Sequence, residues 1–226
     1  NLLDRISDST TGKVTVPELW VDIPQSRIDQ ANIAAQILGD EVYSKFPFLE
    51  GVSPNDSQLS EDNEKQLYSY LEDFIPQHDL VIVSDYGHGF ISRETAKQIS
   101  KQSLFISLNA QINAANSGYH SIRNYHDIDC AIINVTELYH EMRDRETNVE
   151  ELMKQLTGNL RVKKLVVTQG SGGAILYDSK DDKYHYCPAF AAKVVDKIGA
   201  GDAMLALISC TLKSDFDADL SLFIGS

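Results

Sequence analysis

The sequence predicts an α/β fold built on a mainly parallel sheet, and three observations carry that reading. Short continuous apolar runs occur at 80–83, 131–133 and 165–167, the pattern of strands buried on both faces. Between them lie stretches with apolar residues at helical spacing. Strand and helix patterns alternate from residue 60 onward, as in βαβ units closed over one sheet.

Residues 1–60 carry no motif. Val14 to Ile23 is apolar and β-branched but broken by Pro17 and Pro24, and Ser26 to Leu38 reads as a helix with Ile28, Ala31, Ala35 and Leu38 on one side. Gly51 to Ser60 is rich in Ser, Pro, Asn and Asp and reads as a loop. A helix follows over Glu61 to Phe74, with Ser60 as N-cap and Glu61, Asp62 and Glu64 at its positive end. Leu80 to Val83 is a strand ending in the turn Ser84-Asp85-Tyr86-Gly87-His88-Gly89. Ser92 caps a helix to Gln102, and strands are expected at Leu104 to Leu108 and Ala131 to Ile133. Asn148-Val-Glu-Glu151 has the spacing of a capping box and opens a helix to about Leu156. Lys164 to Thr168 is a strand. Ala174 to Tyr177 and Lys183 to Cys187 form a hairpin across a short polar turn. Ala203 to Leu212 is an apolar helix.

Composition excludes several classes. The chain has 226 residues, 42% hydrophobic and 23% charged, which is globular and not disordered. Its 20 basic and 33 acidic residues sum to −13, which repels a phosphate backbone and argues against nucleic-acid binding. A local anion site remains open to it, because backbone N–H groups can build one. Cys130, Cys187 and Cys210 are too few and too far apart for a disulfide framework or a Cys-rich zinc site, and a reducing, cytoplasmic setting is expected. No apolar run reaches membrane-span length, and Asn1 to Arg5 lacks the features of a signal peptide. The first residue is not Met, so the chain is expected to be part of a longer one.

Five segments could carry chemistry. Asp196-Lys197-Ile198-Gly199-Ala200-Gly201-Asp202 stands before a helix. Small residues there let a ligand approach the backbone, and the unpaired N–H groups of the helix start suit a phosphoryl group. Asp202, beside them, can accept a proton from an attacking hydroxyl. A glycine-rich helix entry with Asp as a cap is an equally open reading on spacing alone. Asn134-Val-Thr-Glu137 follows a strand. It can order Mg²⁺ waters near a phosphate, while helix capping is the simpler reading of the same spacing. Thr168-Gln-Gly170-Ser-Gly-Gly173 follows a strand but leads into another strand, so it is a glycine turn and not a dinucleotide fingerprint. Asp85 lies at a strand end, where ligands bind in open α/β sheets, while a turn with Asp as its cap is the favoured reading for each residue taken singly. Asn109-Ala-Gln111-Ile-Asn113-Ala-Ala-Asn116 is an amide-rich loop suited to a ligand or, slightly better, to its own backbone. His140-Glu141-Met142-Arg143-Asp144 lacks the second histidine of a zinc-protease helix.

In this order and context, Asn134-x-x-Glu137, Thr168-x-Gly170, a hairpin and Gly199-Ala200-Gly201-Asp202 resemble the ribokinase-like (PfkB) carbohydrate kinases. Asp85-Tyr86-Gly87 and the amide loop look most like the branch containing the heptose-phosphate kinase domain of ADP-heptose synthesis. The resemblance covers about residue 61 to the end. It implies a ribokinase-like three-layer α/β/α domain, incomplete in this chain, with residues 1–60 a partial lid or linker and 61–226 the nucleotide-binding and catalytic core. It implies transfer of the γ-phosphoryl of ATP to a sugar or sugar-phosphate hydroxyl, with Asp202 as base and Gly199, Ala200 and Gly201 as anion hole. Asn134 and Glu137 would support Mg²⁺ and the ATP phosphates, Glu137 through water. Thr168, Gly170 and Lys197 would lie at the nucleotide, and Asp85 and Asn109 at the sugar. Asp196 and Ile198 would hold a monovalent cation such as K⁺. A homodimer and a fused nucleotidyltransferase are partners the branch allows. Lys197 stands where the family usually has Thr, and His88 where the branch usually has Lys. With the unrecognised first sixty residues, Lys197 motivates an alternative: a non-catalytic kinase-like module that binds a nucleotide or a partner domain.

Overall fold

The computed structural model describes the backbone of three short strands before residue 59, and residues 59–87, 89–111, 121–190 and 200–226 in full. The chain divides into two compact units, Asn1–Val52 and Ser53–Ser226. In the first, β1 (Ser7–Asp8), β2 (Lys13–Val16) and β3 (Leu19–Asp22) form an antiparallel sheet in that order. Val16 pairs with Leu19, so the apolar run at 14–23 is two strands. The helix expected at 26–38 lies outside the described residues, as does the loop at 51–58.

The second unit opens with α1 (Glu61–Phe74), whose first turn is held by the Ser60 side chain accepting from the Asn63 N–H. Then come β4 (Val81–Asp85), α2 (Arg93–Gln102) capped by Ser92, β5 (Ile106–Ala110), β6 (Cys130–Asn134) and α3 (Val135–Met142). After these follow α4 (Val149–Leu160), β7 (Lys164–Thr168), β8 (Ala174–Asp178), β9 (Lys183–Cys187), α5 (Ala200–Lys213) and α6 (Ala218–Gly225). The six strands lie in chain order, β4-β5-β6-β7-β8-β9. The first four are parallel and the last two add antiparallel.

That order decides where the helices go. Right-handed crossovers advancing in one direction put their helices on one face. Ala131, Ile133, Leu165, Val167 and Ile175 pack there against Ile75, Ala96, Ile99, Leu138, Leu152 and Leu156. The alternate residues Cys130, Ile132, Val166, Ala174 and Leu176 face the other way, onto Leu205, Ile208 and Leu212 of α5 and Leu222 of α6. The result is three layers with a core on each face of the sheet. Each fully buried Leu or Ile contributes about 1.5–3 kcal/mol of transfer free energy.

Several boundaries and one cap differ from the sequence reading. β4 runs two residues past Val83, through Ser84 and Asp85. β5 begins at Ile106 and extends through Asn109 and Ala110, so Asn109 is a strand residue; Leu104 is 70% exposed and contributes nothing to burial. α5 begins at Ala200, so Asp202 lies inside its first turn. At α4 only half of the capping box forms. Asn148 accepts from the Glu151 N–H at 2.8 Å, while the Glu151 carboxylate takes the Gln155 amide one turn on.

Candidate functional site

The C-terminal ends of the parallel strands bring the candidate residues together along one edge. Ser84 is in register with Asn109, and Asp85 with Ala110. Asn134 is in register with Thr168. The start of α5 meets this edge at β4. Oδ1 of Asp202 lies 3.4 Å from the Ser84 hydroxyl and Oδ2 lies 3.2 Å from the Tyr86 hydroxyl, both as acceptors. Each is long for an O–H···O bond, whose usual length is about 2.7–2.8 Å. A Cβ on Gly201 would meet no atom within 4 Å, so the space beside the first turn of α5 is open. Gly199, Lys197, Asp196 and Ile198 lie outside the described residues.

Period-2 alternation at the end of β4 turns Asp85 the opposite way from its neighbours. Asp85 is buried; its Oδ1 accepts from the Gly87 N–H at 2.9 Å and its Oδ2 from the Tyr125 hydroxyl at 2.7 Å. Its carbonyl accepts from the Gln111 N–H at 2.9 Å. Burial, reinforced by the adjacent carboxylate, pushes the Tyr125 phenol far above its ordinary pKa, so it remains a donor. Gly87, at φ +66°, supplies the left-handed backbone this turn needs. Asp85 therefore shapes the turn that presents Tyr86. Asn109 is also buried, with its amide donating to the Ile132 carbonyl at 2.8 Å and its Oδ1 without a partner among the described residues.

Asn134 and Glu137 form a complete capping box. Asn134 Oδ1 accepts from the Glu137 N–H at 2.9 Å, and Glu137 Oε2 accepts from the Asn134 N–H at 2.8 Å. Glu137 is buried and Asn134 exposed. Among the described residues no three acidic, histidine or cysteine side chains cluster as a metal cage. This donor set fits a hard cation held mainly by phosphate and water oxygens with one carboxylate behind them, as Mg²⁺ commonly is.

The glycine turn after β7 is a single 3₁₀ turn, Gly170–Gly172, closed by a Gly173 N–H bond to the Gly170 carbonyl at 3.0 Å. Gly173 has φ +87°, and a Cβ there would come within 2.0 Å of the Cys187 carbonyl, so only glycine fits between the turn and the end of β9. Gly170 has open space around it. A cavity of about 480 Å³ adjoins this turn, lined by Gln169, Gly172, Glu150, Tyr186 and Pro188 among others. Ser84, Tyr86 and Tyr125 were not found from the sequence. The pair Ser84 and Tyr86 flanking Asp85 was visible, but nothing local links residue 86 to residue 202.

Residues 52–224 match the pfkB family carbohydrate kinase profile. The chain belongs to the pfkB family of carbohydrate kinases. This pfkB chain is 27% identical over 146 residues to the "Bifunctional protein HldE" of Campylobacter concisus, covering 65% of this chain and 30% of that protein. It is 26% identical over 178 residues to the protein of the same name from Koribacter versatilis, covering 76% and 36%. It thus spans about a third of the length of these curated relatives. Among solved structures, phosphofructokinase-2 from Escherichia coli aligns with a TM-score of 0.61 at 17% identity, over 74% of this chain and 55% of that one. Ribokinase from Arabidopsis thaliana, complexed with ribose and ATP, aligns with a TM-score of 0.52 at 20% identity, over 77% and 53%. The pfkB chain therefore has the ribokinase-like fold and holds part of that domain.

Proposed function

We propose that this pfkB chain carries the catalytic and nucleotide half of an ATP-dependent sugar kinase. It would transfer a γ-phosphoryl group to a hydroxyl of a sugar or sugar phosphate. The observation that carries the reading is Asp202 in the first turn of α5, its carboxylate facing hydroxyl donors at the ligand-binding edge of a parallel sheet, in a chain of this family.

The chemistry follows from position. Asp202 accepts the proton of the acceptor hydroxyl as that oxygen attacks the γ-phosphorus and ADP leaves. The N–H groups of Ala200 and Gly201 stand at the positive end of α5, suited to the charge that spreads over the transferred group, and the family resemblance adds Gly199 to the same anion hole. Asn134 and Glu137 would hold Mg²⁺ beside the phosphates, Glu137 through water, and the ion would supply charge neutralisation. Thr168 and Gly170 would lie at the nucleotide, and the family resemblance assigns Lys197 to the same ligand. Asp196 and Ile198 are retained as the monovalent-cation position. Asp85 is assigned the turn beneath Tyr86, and Asn109, with its unpaired Oδ1 at the same edge, is kept at the acceptor side. The relatives are named as bifunctional proteins, which supports a fused second domain in the whole protein. A heptose phosphate is the acceptor class that the motif resemblance of Asp85-Tyr86-Gly87 and the amide loop suggests.

The test is calorimetric titration with ATP, with and without Mg²⁺, followed by a phosphoryl-transfer screen of sugars and sugar phosphates. Metal-dependent binding with transfer supports the kinase. Metal-dependent binding without transfer to any acceptor supports a nucleotide-binding module instead. Absence of binding removes the nucleotide site from this chain.

A further inference from the structure

We propose that the cavity between α2 and the segment 121–126 is a second anion site, built for the phosphoryl group of a small phosphorylated molecule. It stands apart from the start of α5. Ala96 and Ile99 of α2 pack with Ile122 and Tyr125 on one face of the sheet, and α5 packs on the other.

The cavity has a volume of about 440 Å³, and three cations, Arg93, Lys97 and Arg123, line it against one carboxylate, Glu94. The chain's charges sum to −13, so this wall reverses the sign of the molecule locally. It offers an anion a place that the chain as a whole repels.

How each cation is held decides what it can do. Arg123 is the fixed one. Its Nε donates to the Glu141 carboxylate and a terminal nitrogen donates to the Glu141 carbonyl at 3.2 Å. The Ser121 hydroxyl meets the same carboxylate at 3.0 Å. A guanidinium has five N–H donors, so three remain on a fork that is already oriented and loses little freedom on binding. The other two cations are available. Arg93, the first residue of α2, is exposed and has no hydrogen bond or ion pair among the described residues. Lys97 follows one turn later on the same side of the helix. Its pair with Glu94 is 4.0 Å long between side chains 76% and 72% exposed, a contact that contributes little and is easily given up.

The opposite wall is fixed from behind. Ile122 and Tyr125 are buried, and the Tyr125 hydroxyl donates to Asp85 at 2.7 Å, while Arg123 and His126 are exposed. Asn124 and His126 also line the cavity and add neutral donors, since imidazole carries an N–H in either tautomer. Several donors converging with two guanidinium forks match the oxygens and the double charge of a phosphoryl group better than a single carboxylate. The volume leaves room for a small organic body attached to it.

Nitrogen-15 NMR of the arginine side-chain Nε–H groups in the whole chain tests the site. The signals missing in Arg93→Gln, Arg123→Lys and Arg161→Gln assign those three residues. Pyrophosphate added at constant ionic strength is expected to move the Arg93 and Arg123 signals along one saturating curve. The Arg161 signal, from a residue paired with Asp127, is expected to stay in place. Lys97→Ala and Arg93→Gln should each weaken the Arg123 response about tenfold, the worth of one charge-assisted hydrogen bond, with the urea unfolding midpoint unchanged. The proposal is overturned by signals that drift without saturating or move together with that of Arg161, which is screening alone. It is also overturned by an Arg123 response indifferent to both substitutions, or by a triglutamate peptide that saturates the signals where pyrophosphate does not. None of these outcomes depends on whether Asp202 acts as a base.

Discussion

Two helix starts border the same sheet edge, and they are held in opposite ways. The start of α3 closes on itself: Asn134 and Glu137, three residues apart, satisfy each other's backbone N–H groups. The carboxylate at the start of α5 is held from a distance, by Ser84 and Tyr86, 118 and 116 residues earlier in the chain. The first arrangement is rigid and self-sufficient. The second is loose and depends on the whole domain. A metal-ordering carboxylate benefits from a fixed position, whereas a base must release one partner and accept another. The difference in holding matches the difference in proposed work.

The largest expected effect breaks the comparison at its loose end. Asp202→Asn is expected to lower turnover about 10²- to 10⁴-fold, the range for a general base. Calorimetry should find ATP affinity unchanged, and undiminished turnover would leave α5 an ordinary capped helix. On the self-sufficient side, Gly173→Ala puts a side chain at positive φ and against the Cys187 carbonyl. Strain alone should cost about 1–3 kcal/mol in urea unfolding, and the clash adds to it. Tyr125→Phe removes a buried hydrogen bond to the Asp85 carboxylate, worth about 1.5–3 kcal/mol. It should also slow turnover, because the turn carrying Tyr86 loosens. Asn134→Ala removes only a local cap and should cost about 0.5–2 kcal/mol. If it lowers stability without weakening MgATP binding, the box is a cap and nothing more.

The smallest effect lies at the opposite edge of the sheet and serves as a control. Asp178 pairs with Lys164 at 2.8 Å. Burial works to raise its pKa, but the Lys164 ammonium and backbone donors at 180 and 181 outweigh it and hold the carboxyl below its usual range. A depressed carboxylate stabilises the fold above its unfolded pKa and loses that contribution as pH falls through the folded value. Unfolding midpoints followed down through the acid range should therefore decline less steeply in Asp178→Asn, with no effect on catalysis at neutral pH.

What could be read in advance divides along the same line. Hydrophobic runs and caps are local, so β7, β9, α1 and α2 match the reading to the residue. Residues 134 and 137 were weighed as a cap, and they form one. The ends of β4 and β5 were missed because Ser84, Asp85 and Asn109 are polar. Turn chemistry competes with strand pairing for such residues, and here the parallel ladder wins. Tyr125 gave no signal because its partner lies 40 residues away. Only a folded sheet brings Ser84 and Tyr86 to Asp202.

Strand order has a consequence for how the molecule assembles. Every strand of the six-stranded sheet pairs with its neighbour in sequence, so each pairing needs only one short crossover or hairpin, and the sheet can grow as the chain is made. Docking the start of α5 onto β4 is different, since it closes a span of more than a hundred residues, and the entropy of closure rises with span. Substitutions at Ser84, Tyr86 and Asp202 should then leave folding rates almost untouched and show themselves in unfolding rates, whereas Leu156 and Val166 should do the reverse. Such an order lets the sheet form without waiting for the chemistry it will carry.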